Sequence, residues 1–334
     1  KSLLHSAEFM EEAVHFGLDK SDLTKVALDK IVSMSRLASD NLSKGVSGLM
    51  KKNKIEIYNI KALPTINNEK FVIKSQKDTI QSDKLIIATG CQSRSIDKVK
   101  FSNLIWSSKE AMIPKFLPKK LSIIGSGAIG IEFASIYNAL GSNVTVYESQ
   151  ERILPQFDLE VSSEAKKIFE KKGIKFELNS NISLIKEDNN AVKFENNKNQ
   201  EISDALIISI GVVPNLDKEI IDQTGIKVDD KGYVVTNNNY ETNIKNLFAI
   251  GDVIGGPWLA HKAMHDALNC VNYISTNENT HKPLEHQIPG CIYSLPQIAT
   301  VGYTEQQVID KKIPYRKGNF PFLANGKSQT MSNS

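Results

Sequence analysis

The segment from Leu121 to Glu148 constrains the fold of this chain more than any other, because its residues follow the order strand, glycine turn, helix, strand. Leu121 to Ile124 is a short apolar run, typical of a buried parallel strand, and it leads into a glycine cluster. Apolar residues recur at roughly helical spacing from Ala128 to Leu140, and Gly141 ends the predicted helix. Val144 to Tyr147 predicts a second strand, so the segment forms one βαβ unit.

Glycines in the turn favour a dinucleotide at the start of this helix. Gly125 permits a tight turn, Gly127 leaves room for a pyrophosphate, and Gly130 lets the helix pack closely on its strand. Glu148 follows the second strand about 20 residues after the glycines, where its carboxylate can accept hydrogen bonds from the adenosine ribose hydroxyls. A 2′-phosphate would be repelled there. The unit therefore predicts a nicotinamide cofactor, and NAD rather than NADP.

The composition excludes several other classes of protein. The 334 residues carry a formal charge of +3 from mixed lysines and acids, without the basic, aromatic-rich stripe of a nucleic-acid-binding surface. Cys91, Cys270 and Cys291 have no CxxC or zinc spacing, so we expect buried or inert thiols and no metal site. Without a bilayer-spanning apolar stretch or a signal-peptide pattern, the sequence predicts a soluble, intracellular protein.

Three further segments repeat one design, an apolar strand that runs into a glycine. They are LIIATG (Leu85 to Gly90), LIISIG (Leu206 to Gly211) and LFAIGD (Leu247 to Asp252). Together with the βαβ unit they predict doubly wound α/β layers, whose ligands bind beyond the carboxyl ends of the strands.

Hydrophobic periodicity, together with prolines that interrupt helices and strands, predicts the remaining elements. They are helices within residues 3–50 and near 158–172, strands within 55–73 and at 174–178, 182–186 and 191–195, a connection at 112–118, and an antiparallel domain beyond His286.

The order of several motifs resembles that of the flavoprotein disulfide reductases. The motifs are ATG (residues 88–90), GSGAIGIE (125–132), YE (147–148), IGVVPN (210–215), FAIGD (248–252) and GPWLAHKA (256–263). The resemblance covers nearly the whole chain. ILPQFD at 153–158 and AHKA at 260–263 are similar to the dihydrolipoamide dehydrogenases within that class, the class I pyridine nucleotide-disulfide oxidoreductases.

This resemblance implies an α/β fold with two Rossmann-like, three-layer domains for FAD and NAD(P), followed by the start of an α+β dimerisation domain. The implied domains are FAD-binding at 1–110 and 239–285, NAD-binding at 111–238, and a truncated interface domain at 286–334. Lys1 is not an initiator methionine, so we expect the chain to be part of a longer protein. The first FAD fingerprint, a CxxxxC pair and a C-terminal His–Glu pair lie outside this sequence.

The implied activity is FAD-dependent oxidation of protein-bound dihydrolipoamide to lipoamide, with electrons passing to NAD⁺. Such an enzyme is the shared dehydrogenase component of 2-oxoacid dehydrogenase complexes. Its partners would be a lipoyl carrier domain and a second copy in a homodimer, with no nucleic acid and no membrane. We expect a bacterial cytoplasmic location, with the mitochondrial matrix as the alternative.

The resemblance also assigns site residues. Lys1 and Glu132 match a catalytic pair beside the flavin N5, although Glu132 could instead be a solvent-facing helix residue. The expected NAD contacts are Gly125, Ser126, Gly127, Ala128, Ile129, Gly130, Ile131, Glu132, Glu148, Ile182 and Gly211. The expected FAD contacts are Lys1, Ala62, Thr89, Gly90, Cys91, Asp252, Trp258, Leu259, Ala260 and His261.

Some positions keep a second interpretation or depart from the family pattern. Asp252 could act as a helix N-cap as well as a flavin ribityl ligand, and we expect a structural role for the His261 side chain. Val212 stands where the family usually has an arginine, which removes a cationic contact near NAD.

Two other functions stay open at this point. One is a non-catalytic NAD-binding or assembly protein on the same fold. The other is an NADH oxidase or coenzyme A disulfide reductase relative with a single active cysteine, against which LAHKA argues. The upstream coding sequence separates them, because a CxxxxC motif there favours the enzyme. The 334-residue chain by itself lacks the dithiol acceptor and the base, so we expect it not to oxidise dihydrolipoamide.

Overall fold

The computed structural model describes residues 1–15, 27–74, 79–96, 98–188 and 190–329. Its α-helices are α1 (Ser2–His15), α2 (Leu28–Lys52), α3 (Ser108–Ala111), α4 (Ala128–Ala139), α5 (Leu159–Lys171), α6 (Lys218–Thr224), α7 (Ala260–Thr276), α8 (Glu305–Asp310) and α9 (Gly326–Gln329). Short 3₁₀ turns span Gly251–Ile254, Glu285–Gln287 and Phe322–Ala324.

The β-strands have the following bounds. They are β1 (Pro64–Asn67), β2 (Lys70–Lys74), β3 (Thr79–Ser82), β4 (Leu85–Ile87), β5 (Cys91–Ser93), β6 (Ile105–Trp106), β7 (Lys120–Ile124), β8 (Asn143–Tyr147), β9 (Lys175–Glu177), β10 (Ile182–Glu187), β11 (Val192–Asn196), β12 (Asn199–Ser203), β13 (Ala205–Ile208), β14 (Val212–Pro214), β15 (Leu247–Ala249), β16 (Gly290–Ile292) and β17 (Ile298–Thr300).

The chain divides into two compact units. The first unit contains residues 1–53, 94–211 and 291–334, and the second contains residues 54–93 and 212–290. Each unit is discontinuous in sequence. The domain boundaries inferred from the sequence, at residues 110, 238 and 285, stay a prediction.

A five-stranded parallel sheet of order β6-β13-β7-β8-β9 forms the centre of the first unit. The middle strands are buried on both faces: all of β13 is buried, as are Leu121 to Ile124 of β7. Parallel strands are covered on both sides, which explains why these runs do not alternate between apolar and polar residues. The predicted βαβ unit is present, since β7 and β8 pair in parallel and α4 connects them along the chain.

Different layers cover the two faces of this sheet. On one face, Leu121, Ile123 and Ile207 pack in a core with helical residues such as Tyr137 of α4 and Phe169 of α5. On the other face, Ile124, Tyr147 and Leu206 pack against Val192 and Phe194 of β11. That second layer is the antiparallel sheet β10-β11-β12. The three layers are therefore helix, parallel sheet and antiparallel sheet, whereas a doubly wound unit has helices on both faces.

In the second unit, two of the apolar strands that run into a glycine pair with each other. β4 and β15 pair in parallel, with Leu85 opposite Leu247. β5 pairs antiparallel with β14, and β1, β2 and β3 form an antiparallel sheet. The core contains Ile87 and Ala249 from the parallel pair, together with Phe71 and Val234. The carboxyl ends of β4 and β15 therefore lie side by side.

Most of the predicted elements are confirmed. The helix near 158–172 is α5, the strands at 174–178, 182–186 and 191–195 are β9, β10 and β11, and residues 112–118 form an irregular connection. The helical region 3–50 contains α1 and α2, with residues 16–26 outside the described residues. Beyond His286, β16 and β17 form a two-stranded sheet. Within the described ranges, no helix is long and apolar enough to cross a bilayer.

Replacement of Gly130 by alanine should destabilise the first unit. An added Cβ would lie 2.0 Å from the carbonyl oxygen of Gly125, and backbone must move to accommodate it. We expect a loss of about 2 kcal/mol or more in the free energy of unfolding, as for overpacked core sites. Thermal and urea denaturation measure the change.

Gly45→Ala is the matched control. Gly45 lies inside α2, and a Cβ there meets nothing within 4 Å. Alanine in a helix interior should be more stable than glycine by about 0.5–1 kcal/mol. Equal stabilities of Gly130→Ala and the wild type would contradict the packing role of Gly130.

Candidate functional site

The turn between β7 and α4 gives each of its three glycines a different environment. At Gly125, φ is +98°, and a Cβ would lie 2.5 Å from the carbonyl oxygen of Ser209. Gly130 meets Gly125 as described above. A Cβ on Gly127, by contrast, meets nothing within 4 Å. The first and third glycines therefore serve the tight turn and the close packing, and the second leaves open space at the helix start.

Backbone donors of α4 face this open space. The first helical hydrogen bond runs from the N–H of Ile131 to the carbonyl of Gly127, at 3.0 Å. The N–H groups of Ala128, Ile129 and Gly130 precede it and have no acceptor within the helix. A helix N-terminus with free donors binds phosphate groups, aided by the helix dipole. The turn thus fits the pyrophosphate of a dinucleotide.

Glu148 lies at the end of β8, and only 7% of its surface is exposed. Its Oε2 accepts hydrogen bonds from the N–H and the hydroxyl of Ser126, at 2.9 and 2.7 Å. Its Oε1 accepts from the Ser149 hydroxyl at 3.1 Å and from the N–H of Gln150 at 3.0 Å. Burial by itself raises the pKa of the Glu148 carboxyl, but these hydrogen bonds outweigh it and hold that pKa below its ordinary value. The side chain is therefore an anion fixed beside the glycine turn.

The other predicted NAD residues divide into accessible and buried positions. Ile131 is only 1% exposed, and its side chain packs in the core of the first unit. The side chain of Ile131 therefore faces the sheet, and the NAD contact expected at this position of the glycine motif stays a prediction. Ile182 is partly buried beside the cluster that contains Tyr147. Gly211, after β13, has a φ of +107°, and a Cβ added there would meet nothing within 4 Å.

Glu132 and Lys1 both contact Tyr293 in the first unit. The Glu132 Oε1 accepts a hydrogen bond of 2.8 Å from the N–H of Tyr293. The Lys1 ammonium lies 4.0 Å from the centre of the Tyr293 ring. In the described part of the chain both side chains contact Tyr293 and no salt bridge joins them, although the positive charge of Lys1 acts on the Glu132 carboxylate. Their pairing beside the flavin stays a prediction.

The carboxylate of Glu132 is half-buried on α4, so the alternative of a solvent-facing helix residue does not hold. Burial raises the pKa of this carboxyl. The N–H of Tyr293 and the positive charges of Lys1 act in the opposite direction without cancelling the effect.

In the second unit, the glycine turns after β4 and β15 come together. The thiol of Cys91 donates a hydrogen bond to the carbonyl oxygen of Asp252, at 3.3 Å. Asn215 fixes the turn after β4 by two hydrogen bonds. Its N–H donates to the carbonyl of Gly90 at 2.9 Å, and its side-chain amide donates to the carbonyl of Thr89 at 3.2 Å. Burial, with the nearby charge of Asp252, raises the pKa of the Cys91 thiol to about 11. That thiol is therefore protonated at neutral pH.

Asp252 lies in the 3₁₀ turn Gly251–Ile254, with its carboxylate partly buried. Among the described residues, none donates a hydrogen bond to this carboxylate. Burial raises its pKa, while the charge of Lys262 lowers it. The N-cap interpretation is wrong, because Ile250 and Leu259 hold the N-cap positions of the two helical segments. A partly buried carboxylate without a protein donor fits a ligand hydroxyl such as that of a flavin ribityl chain.

A buried ion pair beneath this turn was missed by the sequence reasoning. Lys262 and Asp266 lie one helical turn apart on α7, with 8% and 1% of their side chains exposed and 2.7 Å between Nζ and Oδ2. The Lys262 ammonium also donates to the carbonyls of Gly251 and Gly255, each at 3.2 Å. Asp266 accepts from the N–H of Gly251 at 3.0 Å. The pair therefore fixes both ends of the segment that carries Asp252.

The residues predicted from the GPWLAHKA motif form the start of α7. Leu259 is its N-cap and Ala260 its first residue. The Trp258 ring packs on that of Tyr233, with 6.2 Å between centroids. The His261 Nε2 donates to the carbonyl of Pro289 at 2.9 Å, a structural contact. Ala62, also predicted, is exposed in the segment that precedes β1.

Comparison with known families and proteins gives consistent matches along the chain. The model for pyridine nucleotide-disulphide oxidoreductases matches residues 1–267, and the model for their dimerisation domain matches residues 288–334. The dihydrolipoyl dehydrogenase of Zymomonas mobilis is 38% identical, over 98% of this chain and 72% of its own length. The mitochondrial dihydrolipoyl dehydrogenase of Pisum sativum is 34% identical, over 100% of this chain and 69% of its own.

Solved structures match the fold. LpdA from Mycobacterium tuberculosis superposes with a TM-score of 0.88 at 20% identity, covering 98% of this chain and 73% of that protein. The HOCl-induced flavoprotein disulfide reductase RclA from Escherichia coli gives a TM-score of 0.83 at 22% identity, covering 99% and 73%. At these identities the similarity establishes the architecture.

Asp266→Asn should destabilise the second unit because it leaves the buried ammonium of Lys262 without its counter-charge. Removal of one partner of a buried ion pair costs about 3 kcal/mol in the free energy of unfolding. Urea denaturation of the wild type and the variant measures the difference.

The matched control is Glu170→Gln, in the Lys166–Glu170 pair of α5. That pair has the same spacing, but its side chains are 31% and 42% exposed, so we expect a change of about 0.5 kcal/mol. Similar losses in the two variants would contradict the special role of the buried pair.

Proposed function

The chain belongs to the pyridine nucleotide-disulphide oxidoreductase family, and we propose that within this family it acts as a dihydrolipoyl dehydrogenase. The reaction is the FAD-dependent oxidation of protein-bound dihydrolipoamide to lipoamide, with NAD⁺ as the electron acceptor. The observation that carries the proposal is the sequence identity between this chain and dihydrolipoyl dehydrogenases, 38% and 37% for two of them, which extends along nearly the whole chain. The glycine turn with the anionic Glu148 supports NAD as the nucleotide.

The first unit supplies the NAD-binding groups. When bound, FAD supplies the two-electron carrier and NAD⁺ the hydride acceptor. The free N–H groups at the start of α4 bind the pyrophosphate, and the open space at Gly127 admits it. The Glu148 carboxylate accepts hydrogen bonds from the adenosine ribose and repels a 2′-phosphate. Glu132, held by Tyr293, keeps a carboxylate near Lys1, at the position that the family pattern assigns to the flavin N5.

The second unit supplies groups for FAD. Asp252 would accept a hydrogen bond from the ribityl chain, and the turns at Gly90 and Gly251, both with positive φ, would let the backbone approach the ligand closely. The residues at the start of α7, from Trp258 to His261, would hold the flavin, and the positive end of this helix would favour negative charge on it. The Lys262–Asp266 pair fixes the turn that carries Asp252 through its hydrogen bonds to Gly251 and Gly255.

Partners and location follow from the same proposal. A lipoyl carrier domain of a 2-oxoacid dehydrogenase complex would deliver the dihydrolipoamide. The match of residues 288–334 to a dimerisation domain supports a homodimer. A bacterial cytoplasmic location, with the mitochondrial matrix as the alternative, stays a prediction, as do the domain boundaries.

The activity is tested with the protein expressed from its complete gene. Dihydrolipoamide and NAD⁺ should give NADH, followed by its absorbance, whereas NADP⁺ should give much slower turnover. No turnover in a protein that binds FAD and NAD⁺ would contradict the proposal and favour a non-catalytic NAD-binding relative.

Gly127→Ala should weaken NAD binding without loss of stability. The backbone at Gly127 is extended, with φ −71°, and the added methyl group meets no protein atom within 4 Å. The methyl group would occupy the space proposed for the pyrophosphate, so we expect about tenfold weaker NAD⁺ binding, which corresponds to about 1.4 kcal/mol. Calorimetric titration measures the affinity, and thermal melting measures the stability. Unchanged affinity would contradict the placement of the pyrophosphate.

A further inference from the structure

The Glu148 carboxylate already accepts two hydrogen bonds on each of its oxygens. An ionised carboxylate has about four acceptor positions, so all of them are used by the protein. A ribose hydroxyl can donate to Glu148 only if one of these donors leaves. The N–H groups of Ser126 and Gln150 are backbone and stay in place, which leaves the two serine hydroxyls.

The two serine hydroxyls differ in how easily they can leave. Ser126 is 0% exposed, and both its N–H and its hydroxyl contact Oε2. A buried hydroxyl that gives up its partner pays the full desolvation penalty. Ser149 is exposed at the start of the loop after β8, and its hydroxyl lies 3.1 Å from Oε1. That hydroxyl can turn to water at little cost.

We propose that Ser126 positions the Glu148 carboxylate for the adenosine ribose of NAD, while the Ser149 hydroxyl occupies the ribose position and is displaced on binding. This inference rests on the proposed NAD-binding role of Glu148. One ribose hydroxyl replaces Ser149 on Oε1, and the Ser126 contacts on Oε2 remain. The two serines therefore set NAD affinity in opposite directions.

The electrostatics of the site support the positioning role of Ser126. Burial raises the pKa of the Glu148 carboxyl, and the hydroxyl and N–H of Ser126 are the strongest of the hydrogen bonds that lower it again. Because a ribose hydroxyl donates to the ionised form, NAD affinity falls as the pH drops through this pKa. Loss of the Ser126 hydroxyl raises the pKa, so this fall moves to higher pH.

The experiment titrates the 334-residue chain with NAD⁺ by calorimetry, for the wild type, Ser126→Ala, Ser149→Ala and Glu148→Gln. We expect Ser126→Ala to bind about fivefold more weakly and Ser149→Ala about threefold more tightly, the range that one hydrogen bond supports. Repeating the titrations from neutral pH down to about pH 4 should show the loss of affinity at higher pH for Ser126→Ala. A purely structural serine would not change that profile.

Ser122→Ala is the matched control, because Ser122 is also 0% exposed, lies on β7, and hydrogen-bonds the Ser203 hydroxyl instead of Glu148. It should lose stability while its NAD⁺ affinity and pH profile match the wild type. If Glu148→Gln binds NAD⁺ as the wild type does, the proposed role of Glu148 fails. If Glu148→Gln weakens binding but both serine variants change it in the same direction, or not at all, only the present inference fails.

Discussion

The close approach of α4 to β7 is the constraint on which the first unit depends. No side chain fits at Gly125 or Gly130, because backbone carbonyls of Ser209 and Gly125 occupy that space. This contact allows the helix to begin directly at the end of the sheet, so its free N–H groups lie beyond the carboxyl ends of the strands. The core packing of α4 on β7, through residues such as Ile131 and Tyr137, follows from the same approach.

In both units, buried charge is used to fix backbone turns. Glu148 binds the glycine turn and the loop after β8, and Lys262 with Asp266 binds the turn around Asp252. Val253 and Ile254 pack the turn around Asp252 against the apolar core, but apolar packing gives no direction to backbone N–H and carbonyl groups. Charged groups that make several hydrogen bonds do, and strong charge-assisted bonds offset the cost of burying them.

The sequence predicted features that depend on local spacing, and it missed features that depend on burial. The βαβ unit was correct because glycines, helical periodicity and a terminal acid lie within one short segment. The Lys262–Asp266 pair could not be recognised, since Lys166 and Glu170 have the same spacing and are partly exposed. Which side of a helix faces the core is decided by distant residues.

The same limit applies at the site. The family pattern suggested that Lys1 and Glu132 pair, but it did not reveal that Tyr293, far along the chain, contacts both. Ile131 was predicted as an NAD contact with its neighbours in the glycine motif, and that motif did not show that the helix turns the Ile131 side chain into the core. The antiparallel layer of β10 to β12 replaces helices on one sheet face, which short strands alone did not reveal.

The hydrogen bonds of Glu148 join two loops that are separate in sequence. A residue at this position that cannot accept hydrogen bonds would leave the N–H groups of both Ser126 and Gln150 without an acceptor. Any substitution of Glu148 therefore changes the order of the glycine turn and of the loop after β8 together with whatever the carboxylate binds.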